Sequence, residues 1–143
     1  MLKKEKVENL IKKVKREDKS GFKREKVNGY VLSVERHPTH LSLSGYIQKE
    51  DNEPFDNSEQ EVINEQFHGG ISFKNKTNTK LGFSCTTAQD ILPGMEQDLL
   101  TMGLEVEEDN SINRSYKSKR FVMKKLKQTV EQLVEENEKA WVF

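Results

Sequence analysis

Between Phe67 and Asp90 the chain gathers residue types that do chemistry: His68, Cys85 and Asp90, with Gly69-Gly70 beside the histidine. A thiol, an imidazole and a carboxylate are the parts of a nucleophile, its base and a group that orients the base. The same residues have a plain structural meaning. Cys85 follows Leu81-Gly82-Phe83-Ser84 at a strand end, where cysteine commonly serves as a small buried hydrophobe. Gly69-Gly70 lets the backbone take positive φ, and amides beside glycines can cradle an anion; a bulge that only curves a sheet needs the same residues. His37 and His40 flank Pro38 and Thr39, a spacing that suits a rigid turn at a strand end better than a metal site. No phosphate-binding loop, zinc helix motif or Gly-x-Ser-x-Gly elbow is present. The residues weigh toward binding over catalysis and imply no metal or cofactor.

A chain of 143 residues is the size of one ordinary domain. Hydrophobic residues make up 33% and charged residues 34%, so the core is small and many charges lie on solvated faces. Net charge is zero, which argues against undirected DNA binding, yet the charges are sorted. Lys3 to Lys26 is mainly basic, Glu50 to Glu65 and Glu96 to Asp109 are acidic without Lys or Arg, and Arg114 to Lys127 is basic without Asp or Glu. Opposite blocks facing one another explain this pattern, as would a basic surface for a nucleotide or an acidic surface that imitates nucleic acid. The single cysteine excludes an intramolecular disulfide and a multi-cysteine zinc site. No apolar run reaches membrane-spanning length and the Lys-rich start lacks a signal-peptide core, so the expected location is cytoplasmic, with no membrane partner.

The elements that must position these residues follow from periodicity. Leu2 to about Lys19 is an amphipathic helix ended by Ser20-Gly21, and is set apart as residues 1–20 from a single α+β domain over 21–143. Phe22 to Val34 reads as a strand with Gly29 in a bulge or close approach, and Leu41 to Ile47 as another. Lys49 to Glu61 reads as a long exposed loop with Phe55 anchoring it. Val62 to Cys85 reads as a hairpin about the Asn75–Thr79 turn. Met95 to Gly103 is a short helix with Met95, Leu99, Leu100 and Met102 inward, 105–113 a loop, and Ser115 to about Trp141 a long helix whose Met123, Leu126, Val130 and Leu133 face the core. The expected fold class is α+β: a small antiparallel sheet packed on a long C-terminal helix, with an additional amphipathic N-terminal helix.

Several of these blocks together resemble a family of small bacteriophage and prophage proteins with no assigned reaction. The residues that carry the resemblance are Gly29-Tyr30-Val31, His37-Pro38, His68-Gly69-Gly70-Ile71-Ser72-Phe73, Gly82-Phe83-Ser84-Cys85 and Asp90, in that order, over about Gly29 to Leu133. Ser84 stands where the family pattern has Asp, and Thr86-Thr87 where it has Ala-His. Neither Ser nor Thr replaces a carboxylate or an imidazole, so these departures point further toward binding.

The resemblance implies a phage-encoded accessory protein that counteracts host defence in the host cell cytoplasm. Two routes fit. In one, His68, Gly69, Gly70, Ser84, Cys85, Asp90 and His37 form a site that sequesters a nucleotide-derived immune signal. In the other, an acidic surface of Glu50, Asp51, Glu53, Asp56, Glu59 and Glu61 covers a host defence protein such as a CRISPR nuclease. Direct nucleic-acid binding is disfavoured and self-association stays open. The alternatives are a small cysteine/histidine-dependent hydrolase and a structural or interaction protein of the phage.

Overall fold

The computed structural model describes residues 4–103 and 114–140. Helix α1 (Lys4–Ser20) buries Val7 and Val14, two helical turns apart, and turns its lysines, Glu5 and Glu8 outward. Asn28 and Gly29 both hold positive φ, the turn whose twist matches that of paired strands. They join β1 (Glu25–Val27) to β2 (Tyr30–Arg36). The strand expected over Phe22–Val34 is therefore a hairpin, and Gly29 sits in its turn rather than in a bulge.

β2 pairs with β3 (Leu43–Lys49), β3 with β5 (Lys80–Ser84), and β5 carries the short edge strand β4 (Phe73–Lys74). The order is β1-β2-β3-β5-β4 and every pair is antiparallel. Strand alternation puts Tyr30, Leu32, Val34, Leu43 and Ile47 on one face. Helix α4 (Lys119–Ala140) lies on β2 and β3, contributing Val122, Leu126, Val130 and Leu133 to the core. Gly45 permits that approach, since a Cβ there would lie 2.8 Å from Val122 Cγ1. The architecture is the α+β arrangement that the sequence pattern indicates.

Three local expectations are corrected. Helix α2 (Asn57–Gln66) replaces the second half of the loop expected over Lys49–Glu61 and the first part of the hairpin expected from Val62. Its start is a capping box, with the Glu59 amide donating to Asp56 Oδ1 at 2.8 Å and the Asp56 amide to Glu59 Oε1 at 3.0 Å; acidic residues at that spacing start a helix. Phe55 does anchor the preceding turn, buried beside the ring of Tyr30. In helix α3 (Pro93–Thr101), Met95 and Met102 are 54% and 68% exposed rather than inward. The inner positions go to Pro93, Gly94 and Glu96 because Gly94 seats on the His40 turn, its amide donating to the His40 carbonyl at 2.8 Å. Finally, α4 starts at Lys119, not Ser115: the backbone of Ser115 exchanges hydrogen bonds with Gln89 and Ile91. Residues 105–113 and 141–143 lie outside the described residues.

One ionic cluster fastens α1 to the start of α4. The Glu17 carboxylate accepts the Lys119 amide at 2.7 Å and the Tyr116 hydroxyl, and lies 3.3 Å from Arg36 Nη2. Arg36 also donates to Asp18 at 2.9 Å, to the Leu41 carbonyl at 2.9 Å and to Tyr116 Oη at 2.6 Å. The Arg36 side chain is 8% exposed and that of Glu17 14%. Burial, and then the bond to Glu17, push the Tyr116 phenol up. Removing one partner of such a pair strands the other charge away from water. Arg36→Ala is therefore expected to lower unfolding free energy in urea by about 3 kcal/mol; a loss below about 1 kcal/mol, the range of an exposed ion pair, would contradict this role.

Candidate functional site

The structure does bring His68 to Asp90. Asp90 is fully buried at its side chain, and His68 Nε2 donates to its carboxylate at 2.8 Å. Thr87 adds its amide at 2.8 Å and its hydroxyl at 3.0 Å, and Lys117 Nζ lies 3.2 Å away. Burial pushes the Asp90 carboxyl up, but the bonds from His68, Thr87 and Lys117 outweigh it and hold the carboxyl below its usual range. The carboxylate that would orient a catalytic histidine is shared among His68, Thr87 and Lys117 and ties α4's approach segment to the end of β5.

Among the described residues no nucleophile is hydrogen-bonded to His68 to complete a triad. Cys85 is buried, and burial first, then the charge of Asp90, push its thiol up to about 12. Among the described residues no hydrogen bond joins Cys85 to His68. Ser84 faces Thr86, their hydroxyls 2.8 Å apart. The Gly69-Gly70 bend, both residues at positive φ, is filled by the protein itself: a Cβ on Gly69 would lie 2.7 Å from Thr87 Cγ2, and one on Gly70 2.9 Å from Asn64 Oδ1. The Ile71 amide donates to that Asn64 oxygen at 2.8 Å. These glycines let chain segments close on one another.

His37 lies elsewhere, at the turn after β2, stacked on His40 with ring centroids 3.6 Å apart. Its Nδ1 accepts the Thr39 amide at 3.1 Å, and His40 Nδ1 accepts the Ser42 amide at 3.2 Å. Both rings thus carry their proton on Nε2, which closes that nitrogen to a metal. Among the described residues there is no group of three or more His, Cys, Asp or Glu able to hold a metal ion.

The acidic stretch is largely occupied. Asp56 caps α2, Glu59 completes the cap and meets Lys49 at 2.9 Å, Glu50 lies 3.8 Å from Lys26, and Asp51 accepts the Glu53 amide at 3.0 Å. Glu53 and Glu61 are exposed and have no ion-pair partner among the described residues.

A different place has the shape of a site. Where α1 ends, Phe22 folds under the first turns of α4 and leaves a cleft of about 930 Å³ floored by Phe22, Val34 and Met123. Its rim carries Lys23, Lys119, Arg120, Lys124 and Lys127. Lys127 is paired with Glu25 at 3.1 Å, and Lys119 Nζ is held by Ser20 Oγ at 2.7 Å. Lys23, Arg120 and Lys124 have no ion-pair partner among the described residues. Of the three acids at the cleft, Glu17 is consumed by Arg36, Tyr116 and the Lys119 amide, Glu25 by Lys127, and Glu131 is exposed, so cations still outnumber acids there by five to three. Lys119 Nζ lies 5.2 Å from the Phe22 ring centroid and Arg36 Cζ 5.7 Å. Cations around an apolar aromatic floor suit an anion with a flat ring. The block Arg114 to Lys127 signalled these cations; nothing in the local pattern signalled that Phe22 would lie beneath them.

No family model, no curated protein and no solved structure matches this chain. Among the described residues no helix is long and apolar enough to cross a membrane.

Two outcomes are expected at the Asp90 cluster. In native protein near neutral pH, Cys85 stays unreactive toward a disulfide reagent and reacts once urea unfolds the chain; rapid native labelling would show an accessible thiolate. Because the folded Asp90 carboxyl titrates below its unfolded value of about 3.9, its contribution is complete above that pH and is lost as pH falls through the lower, folded value. Asp90→Asn is therefore expected to be less stable than wild type at pH 6, with the gap narrowing below about pH 4; a gap constant in urea melts down to pH 2 would contradict it.

Proposed function

We propose that this protein acts by binding and not by catalysis: as a phage-encoded accessory protein in the host cytoplasm, it withholds a nucleotide-type signal from host defence. The phage context rests on the motif resemblance. The binding role rests on one observation, the cleft between the end of α1 and the first half of α4, where unpaired Lys23, Arg120 and Lys124 surround the Phe22 floor. In this reading the ligand site lies away from His68, Gly69, Gly70 and Cys85; what supports that is the use of their polar groups and space within the fold.

The chemistry is that of a cation-rimmed pocket. Phosphate oxygens take charge-assisted hydrogen bonds from Arg120 and Lys124, and the base lies against the apolar floor of Met123 and the Phe22 edge, since Lys119 and Arg36 already cover the Phe22 ring. The floor is apolar, and among the described residues that line the cleft no acid or base is hydrogen-bonded to a nucleophile, which supports reading the bound nucleotide as retained. The second route, cover of a basic host protein by Glu50–Glu65, has Glu50 and Glu59 paired with lysines and Asp51 and Asp56 engaged by backbone amides, and keeps Glu53, Glu61 and Glu65 as exposed acids without an ion-pair partner among the described residues.

Isothermal titration with AMP, ADP and cyclic AMP is expected to show saturable binding that weakens between 50 and 200 mM salt. The double variant Arg120→Glu with Lys124→Glu is expected to lose at least tenfold in affinity at an unchanged melting temperature, and His68→Gln, if folded, to bind as wild type. Absence of heat with every nucleotide would remove the proposal, as would an unaltered affinity in the double variant.

A further inference from the structure

The cleft does not end at Phe22. A second groove of about 710 Å³ adjoins it and shares Phe22 and Val34 with the first. It runs onto the sheet face that the helices leave uncovered, where its cations are Arg24, Arg36 and Lys80 and its acid is Glu35. β1 stops pairing with β2 at Leu32, so from Ser33 onward no strand among the described residues lies beside this edge of β2, which leaves the groove open.

The two lobes differ in how their cations are held. Arg36 is committed to Glu17, Asp18 and Tyr116 and serves as a wall. Arg24 is exposed and donates to Gln48 Oε1 at 2.9 Å, a neutral partner that leaves its charge uncompensated. Lys80 Nζ sits 4.6 Å over the ring of Tyr46 and has no ion-pair partner among the described residues. In the first lobe, Arg120 and Lys124 are one helical turn apart, a rise of about 6 Å. Phe22 is therefore shared by two grooves that each bring a separate group of available cations, Arg120 with Lys124 in the first and Arg24 with Lys80 in the second.

We propose that the two grooves are one site for a dinucleotide-type ligand, with a phosphate in each lobe and the unit that links them passing along the shared residues Phe22 and Val34. This rests on the nucleotide-binding reading above and narrows it: a mononucleotide fills only the α4 lobe, whereas a ligand with two phosphodiester-linked units engages both. A cyclic dinucleotide and the end of a short single strand share that chemistry.

The test compares AMP, 5′-phosphorylated linear diadenylate, cyclic di-AMP and a five-residue oligoadenylate by titration calorimetry on the full chain. At least one of the two-phosphate ligands is expected to bind ten times or more tighter than AMP. Arg24→Glu with Lys80→Gln is expected to bring it down to the AMP level while leaving AMP itself unchanged, with the fold checked by circular dichroism. A pentamer no tighter than the dimers places the boundary at two units; a further tenfold gain for the pentamer shows a longer track than the two lobes and overturns the proposal. Equal affinity for AMP and both dinucleotides overturns it too while leaving mononucleotide binding intact, and silence from all four ligands removes both readings.

Discussion

The carboxylate of Glu17 is the constraint on which the rest depends. It is a residue of α1, yet its oxygens satisfy the first amide of α4 and the phenol of Tyr116, and its charge is balanced by Arg36 from the end of β2. The first amides of a helix have no partner within the helix. Here a distant helix supplies one, so the docking of α1 and the starting point of α4 are a single event. Phe22, two residues beyond α1, is thereby set beneath Lys119 and the cleft acquires its floor.

A second cluster holds the opposite end of the same segment. Asp90 is bound by His68, Thr87 and Lys117, and the residues before α4 run alongside it, with Asp90 and Ser115 in a parallel bridge. Buried charges are tolerated when each has partners, and removal of one partner is costly. The two clusters bracket residues 114–119 and fix where the basic first half of α4 emerges. That resolves an apparent conflict in the helix, whose basic start opposes its dipole: Glu17 and the Ser118 hydroxyl accept the first amides and supply the negative end that the helix's own sequence lacks.

The α+β class was legible because long-range burial follows local period: the stripe of Leu126, Val130 and Leu133 and the alternation in β2 both survive folding. The errors arose where a short signal was outweighed by composition. Asp56 and Glu59 look like loop acids until read as a capping box, and Asn28-Gly29 is a turn dipeptide inside an apolar run. Met95 and Met102 face outward because the His40 turn claims the other side of α3, a tertiary demand with no local mark. The candidate site was half legible. His68, Cys85 and Asp90 do converge, but their burial and bonding decide what they do, and that depends on Lys117 and Thr87. The cleft needed α1, the Phe22 turn and α4 together, and no window of sequence contains all three.

The two places compete directly in one measurement: amide chemical-shift mapping by nuclear magnetic resonance while a phosphorylated dinucleotide is titrated into the protein. The account predicts that the shifts concentrate at residues 21–24 and at 119–127, with the amides of Gly69, Gly70, Cys85 and Thr87 unmoved. Shifts gathered at Gly69, Gly70 and Thr87 instead, or none above noise at millimolar ligand, would contradict it.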